Sequence, residues 1–257
     1  MKQIGIGDEK VKMLAKRKYD PGCIAVDDLF ALGLEKCKKS GLRFCLICPE
    51  MVTSEQVKGI ANYYKEHTEC FEVSRKVYEH VAEKGNTCGI LLYTKIEQMN
   101  MCALEKAKLV LVCDGIEISG NIGTMFRTAE AVGADAIIFI NLRSKVFDSK
   151  VLHSSRGMMF NVPFCEMSFE DCTKALGEHD IVPVLCEPEQ GTDFKEFDYK
   201  RKVALVVGSE RFGADKRWFN VKDCEFLKIP MFGEMDSLNV ATAASLILYE
   251  AKYGQKN

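Results

Sequence analysis

Two apolar patterns alternate along this chain. Short runs such as Leu109–Cys113, Ala136–Ile140 and Val203–Val207 are apolar at every position. Strands buried on both faces of a parallel sheet read this way. Between them lie longer stretches whose apolar residues recur every three or four positions, the period of an amphipathic helix. The second half thus predicts strands over 109–113, 136–140, 162–165, 181–186, 203–207 and 226–229. It predicts helices over 121–132, 148–154, 214–219 and 237–252, and another capped by Ser168. Strands alternating with helices imply a mostly parallel sheet, whose ligands bind beyond the carboxyl ends of the strands.

The first hundred residues also alternate. Helices are predicted over 8–18, 27–39 and 75–82, and strands over 23–26, 42–48, 70–73 and 89–93. Thr53-Ser-Glu-Gln56 reads as a capping box that opens a helix running to about residue 64. Residues 94–108 carry no clean strand signal. The expected organisation is an N-terminal α/β domain over 1–95, a linker over 96–108 and a second α/β domain over 109–257.

Composition narrows the class. At 257 residues, 47% hydrophobic and 28% charged, the chain is of ordinary globular composition. No apolar run approaches a membrane span, and the N-terminus lacks the apolar core of a signal peptide. A cytoplasmic location with no membrane contact is expected. The twelve cysteines fall mostly in predicted strands and helices, where reduced Cys packs as a small hydrophobe. Cys45-Leu-Ile-Cys48 lacks the second pair a zinc site needs, so no metal is expected. Net charge is −2, with 16 Lys and Arg against 14 Asp and Glu in residues 1–100. The clusters Lys16-Arg17-Lys18 and Lys36/Lys38/Lys39 read equally as phosphate contacts or as solvated helix faces.

Candidate chemistry gathers in three segments, each following a predicted strand: Gly120-Asn-Ile-Gly-Thr-Met-Phe-Arg127, Val207-Gly-Ser-Glu-Arg-Phe-Gly213 and Ile229-Pro-Met-Phe-Gly-Glu-Met-Asp-Ser-Leu-Asn-Val240. None is a P-loop or a dinucleotide fingerprint. The glycines beside Asn121 allow a tight turn into a helix whose exposed N–H groups favour an anion. Arg127, about two turns on, has the donor fork that holds phosphate, or makes a surface ion pair. Gly208 permits close approach of a ligand to backbone, and Glu210 can accept hydrogen bonds or cap a turn. Ser237 is a natural N-cap, which places Asn239 inside the first turn with an amide able to bind a partner. Each segment taken alone also reads as an ordinary loop or cap. Arg156, before Gly157, could face another anion. His153 reads as structural, and the histidines form neither a Ser-His-Asp pattern nor a metal-ligand spacing.

Taken together, the three segments resemble the SpoU (TrmH-type) RNA 2′-O-ribose methyltransferases of the SPOUT class, over residues 109–252. Asp114-Gly-Ile-Glu-Ile-Ser-Gly-Asn-Ile-Gly123 and Ser155-Arg-Gly-Met-Met-Phe-Asn-Val-Pro163 resemble the thiostrepton-resistance branch in particular. The resemblance implies an α/β fold: a C-terminal SPOUT α/β-knot, a deep trefoil, with a smaller N-terminal α/β ribosomal-protein-like domain that binds RNA. It implies S-adenosylmethionine as methyl donor, with Leu185, Gly208, Ile229 and Leu238 lining the adenosine. It implies Arg127 as the catalytic arginine, with Asn121, Glu210, Ser237 and Asn239 around it and Arg156 on RNA. It further implies a homodimer acting on RNA, with ribosomal RNA favoured. A tRNA 2′-O-methyltransferase and a catalytically silent RNA-binding or ribosome-assembly homologue stand as the alternatives. The chain departs from the family pattern at Arg211-Phe212, where many members have Gly after Gly-Ser-Glu, and at Ala241, where many have Ser.

Overall fold

A computed structural model describes residues 1–34, 41–85, 88–96, 98 and 101–256. The chain divides into two compact units: Met1–Glu97 with Phe147–Phe160, and Gln98–Val146 with Asn161–Asn257.

The first unit carries β1 (Lys2–Gln3), β2 (Cys23–Val26), β3 (Leu42–Ile47), β4 (Glu69–Glu72) and β5 (Ile90–Lys95) in the order β1-β4-β3-β5-β2. β1, β4 and β3 run parallel, and β5 is antiparallel to both its neighbours. Its helices include α1 (Glu9–Ala15), α2 (Leu29–Gly33), α3 (Glu55–His67) and α4 (Arg75–Val81). Asp8 and Asp28 cap α1 and α2 through side-chain oxygens that accept from Lys10 N and Ala31 N. α3 is capped by Ser54, which accepts from Val57 N at 3.3 Å, one residue beyond the Thr53 with which the expected capping box opens. The expected helix over 27–39 begins at Leu29. Its residues 35–40, with the lysine cluster, lie outside the described residues.

The second unit is built on β6 (Leu109–Asp114), β7 (Ala136–Ile140), β8 (Phe164–Glu166), β9 (Val182–Cys186), β10 (Thr192–Asp193), β11 (Val203–Val207) and β12 (Glu225–Lys228). They form one seven-stranded sheet, ordered β10-β12-β9-β11-β6-β7-β8, with every pairing parallel. The chain starts at β6 in the interior, moves outward to β8, returns beyond the other side as β9, and then inserts β11 between β9 and β6. The helices that follow in the chain are α5 (Ser119–Val132), α6 (Ser149–Ser155, in the first unit), α7 (Phe169–Glu178) and α8 (Val240–Gly254).

Continuous apolarity of the central strands has its expected cause. All six residues of β6 and all five of β7 and β11 are buried. Val110, Val112, Ile138 and Val206 share a core with Phe169 and Trp218, whose rings meet edge-on at 4.9 Å. Phe126 of α5 meets Phe139 and Phe164 at 5.6 and 5.1 Å. Each large apolar side chain so buried contributes roughly 1.5–3 kcal/mol. α5 packs on α8, where the Thr128 and Ser245 hydroxyls share a 2.9 Å hydrogen bond and Lys252 Nζ donates to the Gly133 carbonyl that ends α5.

The segment 147–160 belongs to the first unit. α6 packs beside β2, and Gly157 (φ +77°) approaches α2 so closely that a Cβ there would sit 2.7 Å from that of Ala31. His153 on α6 places Nε2 3.4 Å from Asp27 and Nδ1 3.9 Å from Asp28. These are charge contacts rather than aligned hydrogen bonds. The Asp27 carboxylate first, then that of Asp28, pushes the imidazole up to about 10 against the opposing pull of burial. Asp28 is held below the usual carboxylate range, chiefly by His153. His153 is thus structural, as the sequence suggests.

Candidate methyl-donor cleft and the side chains at its rim

A cleft of about 240 Å³ opens at the carboxyl ends of β9, β11 and β12. Its walls are Cys186, Glu187 and Pro188 after β9; Val207 to Glu210, Gly213 and Ala214 after β11; and Ile229, Met231 and Asp236–Leu238 ahead of α8. Five expected residues therefore line it directly: Gly208, Glu210, Ile229, Ser237 and Leu238. Leu185 does not. It is wholly buried in the core, and the next three residues form the wall.

The loop after β11 folds back on itself. Ser209 N donates to Gly213 O at 2.9 Å and Gly213 N to Ser209 O at 3.0 Å, while Ser209 Oγ accepts from Phe212 N. A Cβ on Gly208 would lie 2.0 Å from Ala214 N. The glycine is required by the returning backbone of its own loop, a reason distinct from the ligand approach expected from sequence. The cleft lies beside the same backbone.

At the rim, one hydrogen-bond chain ties the three sequence segments together. Asn239 Oδ1 accepts from Ala241 N at 3.0 Å and from Thr242 N at 3.3 Å, so Asn239 is the N-cap of α8. This corrects the expected cap at Ser237, which lies in the exposed approach to the helix. With its oxygen so committed, Asn239 turns Nδ2 to donate to Asn121 Oδ1 at 3.2 Å. Asn121 in turn directs its Nδ2 to donate to Glu210 Oε1. The two backbone N–H groups thereby fix the orientation of both amides. Asn121 is buried, with 9% of its surface exposed, and Glu210 is open to solvent.

Arg127 stands two turns further along α5 and is exposed. Among the described residues nothing pairs its guanidinium. Arg156 falls in the first unit, at the left-handed C-cap of α6 (φ +51°), with its guanidinium 5.4 Å from the Phe30 ring centre.

Asp114 carries a role that the sequence reading did not assign. It is 2% exposed and accepts from Asp215 N at 2.7 Å, Trp218 Nε1 at 3.0 Å and Asn141 Nδ2 at 2.8 Å. One carboxylate thus holds together the loops after β6, β7 and β11. The signal was available: an acidic residue closing an otherwise apolar strand.

Charge selects what the cleft can hold. Its lining includes the carboxylates Glu187, Glu210 and Asp236 and no Lys or Arg. Burial, with Glu189 adding to it, raises the Glu187 carboxyl. Apolar walls beside exposed backbone, edged by carboxylates, suit an uncharged planar base carrying a cationic tail. Among the described residues no three His, Cys, Asp or Glu side chains converge as metal ligands, and no helix is long and apolar enough to cross a membrane.

Comparisons with known proteins agree with this geometry. The chain is 27% identical over 184 residues to the 23S rRNA (guanosine(2553)-2′-O)-methyltransferase RlmP of Bacillus subtilis, covering 72% of this chain and 73% of that protein. It is 34% identical over 151 residues to a TrmH family tRNA/rRNA methyltransferase of Staphylococcus saprophyticus, covering 58% and 59%. The solved structure of the SpoU methyltransferase AviRb from Streptomyces viridochromogenes, in complex with AdoMet, superposes with a TM-score of 0.86 at 22% identity, over 97% of this chain and 99% of that one. The fold is the trefoil-knot α/β fold of these enzymes, one of the few exceptions to the rule that chains do not thread. The model of the SpoU rRNA methylase family matches residues 108–249, more than half of the chain, and the chain belongs to that family.

Proposed function

We propose that this protein transfers a methyl group from S-adenosylmethionine to the 2′-hydroxyl of a ribose in ribosomal RNA. One observation carries the reading: the Glu210–Asn121–Asn239 hydrogen-bond chain joins all three motif segments at the rim of a carboxylate-edged cleft. Gly208, Ile229 and Leu238 would hold the adenosine, and Glu210 and Asp236 would favour the cationic end of the donor. The donor supplies an electrophilic methyl on a sulfonium.

The remaining chemistry is positioning and electrostatics. A guanidinium is a poor general base, so Arg127 is poorly suited to remove the hydroxyl proton itself. It orients the 2′-hydroxyl and an adjoining phosphate and stabilises the developing alkoxide, whose proton passes to the solvent that reaches this exposed side chain. Asn121 and Asn239 hold the Glu210 loop in place, and Ser237, on the cleft wall, would lie beside the donor. Arg127→Ala should abolish methyl transfer to ribosomal RNA while calorimetry still shows S-adenosylmethionine binding. Full activity in that variant would remove Arg127 from the mechanism.

The first unit, with Arg156, contributes RNA affinity in this reading, and a cytoplasmic setting follows from the RNA substrate. A homodimer is supported by α8, whose exposed Leu246, Tyr249 and Tyr253 follow one helical stripe unlike scattered surface apolars. Sedimentation of the protein as a monomer at micromolar concentration would exclude that assembly.

A further inference from the structure

The loops that follow the three adjacent strands β11, β6 and β7 carry a second constellation, which the donor cleft and Arg127 do not use. Phe212, 58% exposed, sits at the tip of the tight Ser209–Gly213 loop. The Arg143 guanidinium, from the loop after β7, lies 4.5 Å from the Phe212 ring centre, and that of Arg211 lies 5.1 Å from it. Glu117, after β6, pairs with Arg143 at 2.8 Å. Arg211 has no ion-pair partner among the described residues.

An exposed phenylalanine held on a loop closed by two backbone hydrogen bonds leaves apolar surface in water. That loop also shares Gly208, Glu210 and Gly213 with the wall of the cleft. Ordering around it is strong. The Arg143 backbone N–H reaches Ile116 O at 3.4 Å, Ser119 and Ser144 share a 3.0 Å hydrogen bond, and Asn141 is held by Asp114. An aromatic ring with guanidinium groups over it is the chemistry that takes an unstacked base, by exchange with a guanidinium, and its phosphate.

We propose that Phe212, Arg211 and Arg143 form a stacking platform for single-stranded RNA next to the target nucleotide. Phe212 receives a base, Arg211 holds the backbone phosphate, and Arg143, neutralised in part by Glu117, stiffens the platform. The proposal rests on the reading of the substrate as RNA. It assigns substrate selection to Arg211 and Phe212.

The test separates the platform from that reading. Binding of a short mixed-sequence single-stranded RNA is measured by fluorescence anisotropy, and methyl transfer to unmodified 23S ribosomal RNA in parallel. Phe212→Ala should weaken RNA binding by roughly 5- to 100-fold, the worth of one stacked base, and raise the KM for RNA. Phe212→Tyr should retain both, and the affinity for S-adenosylmethionine should not move in either variant. Arg211→Gln should flatten the dependence of log affinity on log salt by about 0.7, one phosphate contact on a single strand. Unchanged RNA affinity in Phe212→Ala overturns the platform, as does an equal loss of donor affinity or a shift in oligomeric state. If the unaltered protein binds RNA and Phe212→Ala weakens that binding, but 23S ribosomal RNA is not methylated, the platform stands and the substrate reading falls.

Discussion

Asn239 shows how much one side chain decides. Its oxygen accepts two backbone N–H groups at the start of α8, so its nitrogen has to face Asn121, and Asn121 has to face Glu210. Asn239→Asp separates the cap from the relay. Aspartate caps a helix as well as asparagine does, so stability should change by less than about 0.5 kcal/mol. It presents an acceptor to the Asn121 oxygen, however, and the Asn121 amide should turn away from Glu210. Activity should fall at least tenfold with the melting temperature nearly unchanged. A variant as active as the parent would make Asn239 a cap and nothing more. Ser237 illustrates why the sequence points two ways: Ser237 and Asn239 are both good caps, two residues apart, and only the completed helix shows which oxygen meets its free N–H groups.

The long elements were legible because burial on both faces leaves a continuous apolar run, and runs of five or six residues are the length of a strand rather than of a buried helix. Leu109–Asp114, Ala136–Ile140 and Val203–Val207 lie within one residue of where the apolar runs put them. The two-residue strands β1 and β10 were not legible, since backbone pairing with a neighbour makes them and their side chains carry no pattern. Strand order was hidden as well: periodicity tells which face is buried and not which strand lies beside it, so the knot came only from resemblance. α6 was legible as a helix but not as part of the first unit, a matter of tertiary contacts. Its anchor yields a pH dependence with a definite sign. His153 titrates near 6.5 in the unfolded chain and at about 10 in the fold. Its stabilisation is therefore complete below about pH 6.5, declines as pH rises, and is lost above about 10. Melting temperatures of the parent and His153→Gln should differ most near pH 6 and converge toward pH 10. A gap independent of pH would mean that the imidazole acts by packing and not by charge.

At the scale of the molecule, the chain passes between its two units three times: after residue 97, before residue 147 and after residue 160. A cut at residue 97 therefore does not isolate the methyltransferase unit, although the sequence alone suggests a boundary there. The fragment 98–257 keeps the whole seven-stranded sheet, the cleft and the Glu210–Asn121–Asn239 chain. It also keeps α6, which belongs to the first unit and beside which β2 has been removed, and whose Val151 and Leu152 are completely buried in the full chain. Two exposed aliphatic side chains on a short helix with no partner, next to an unpaired His153, predict self-association rather than a clean loss of function. Val151→Ser with Leu152→Gln in the same fragment removes that surface without touching the sheet. The double variant should elute as a single discrete species and bind S-adenosylmethionine with near-parental affinity, while its RNA affinity drops at least tenfold. The unaltered fragment should aggregate. If the double variant fails to bind the donor although it is soluble, the second unit depends on the first for its fold, and the division of labour between donor binding and RNA binding does not hold. If it binds RNA as well as the full chain does, the first unit is not the RNA-binding part, and RNA affinity must come from the second unit itself, with Arg127 and the Phe212 platform the first places to look.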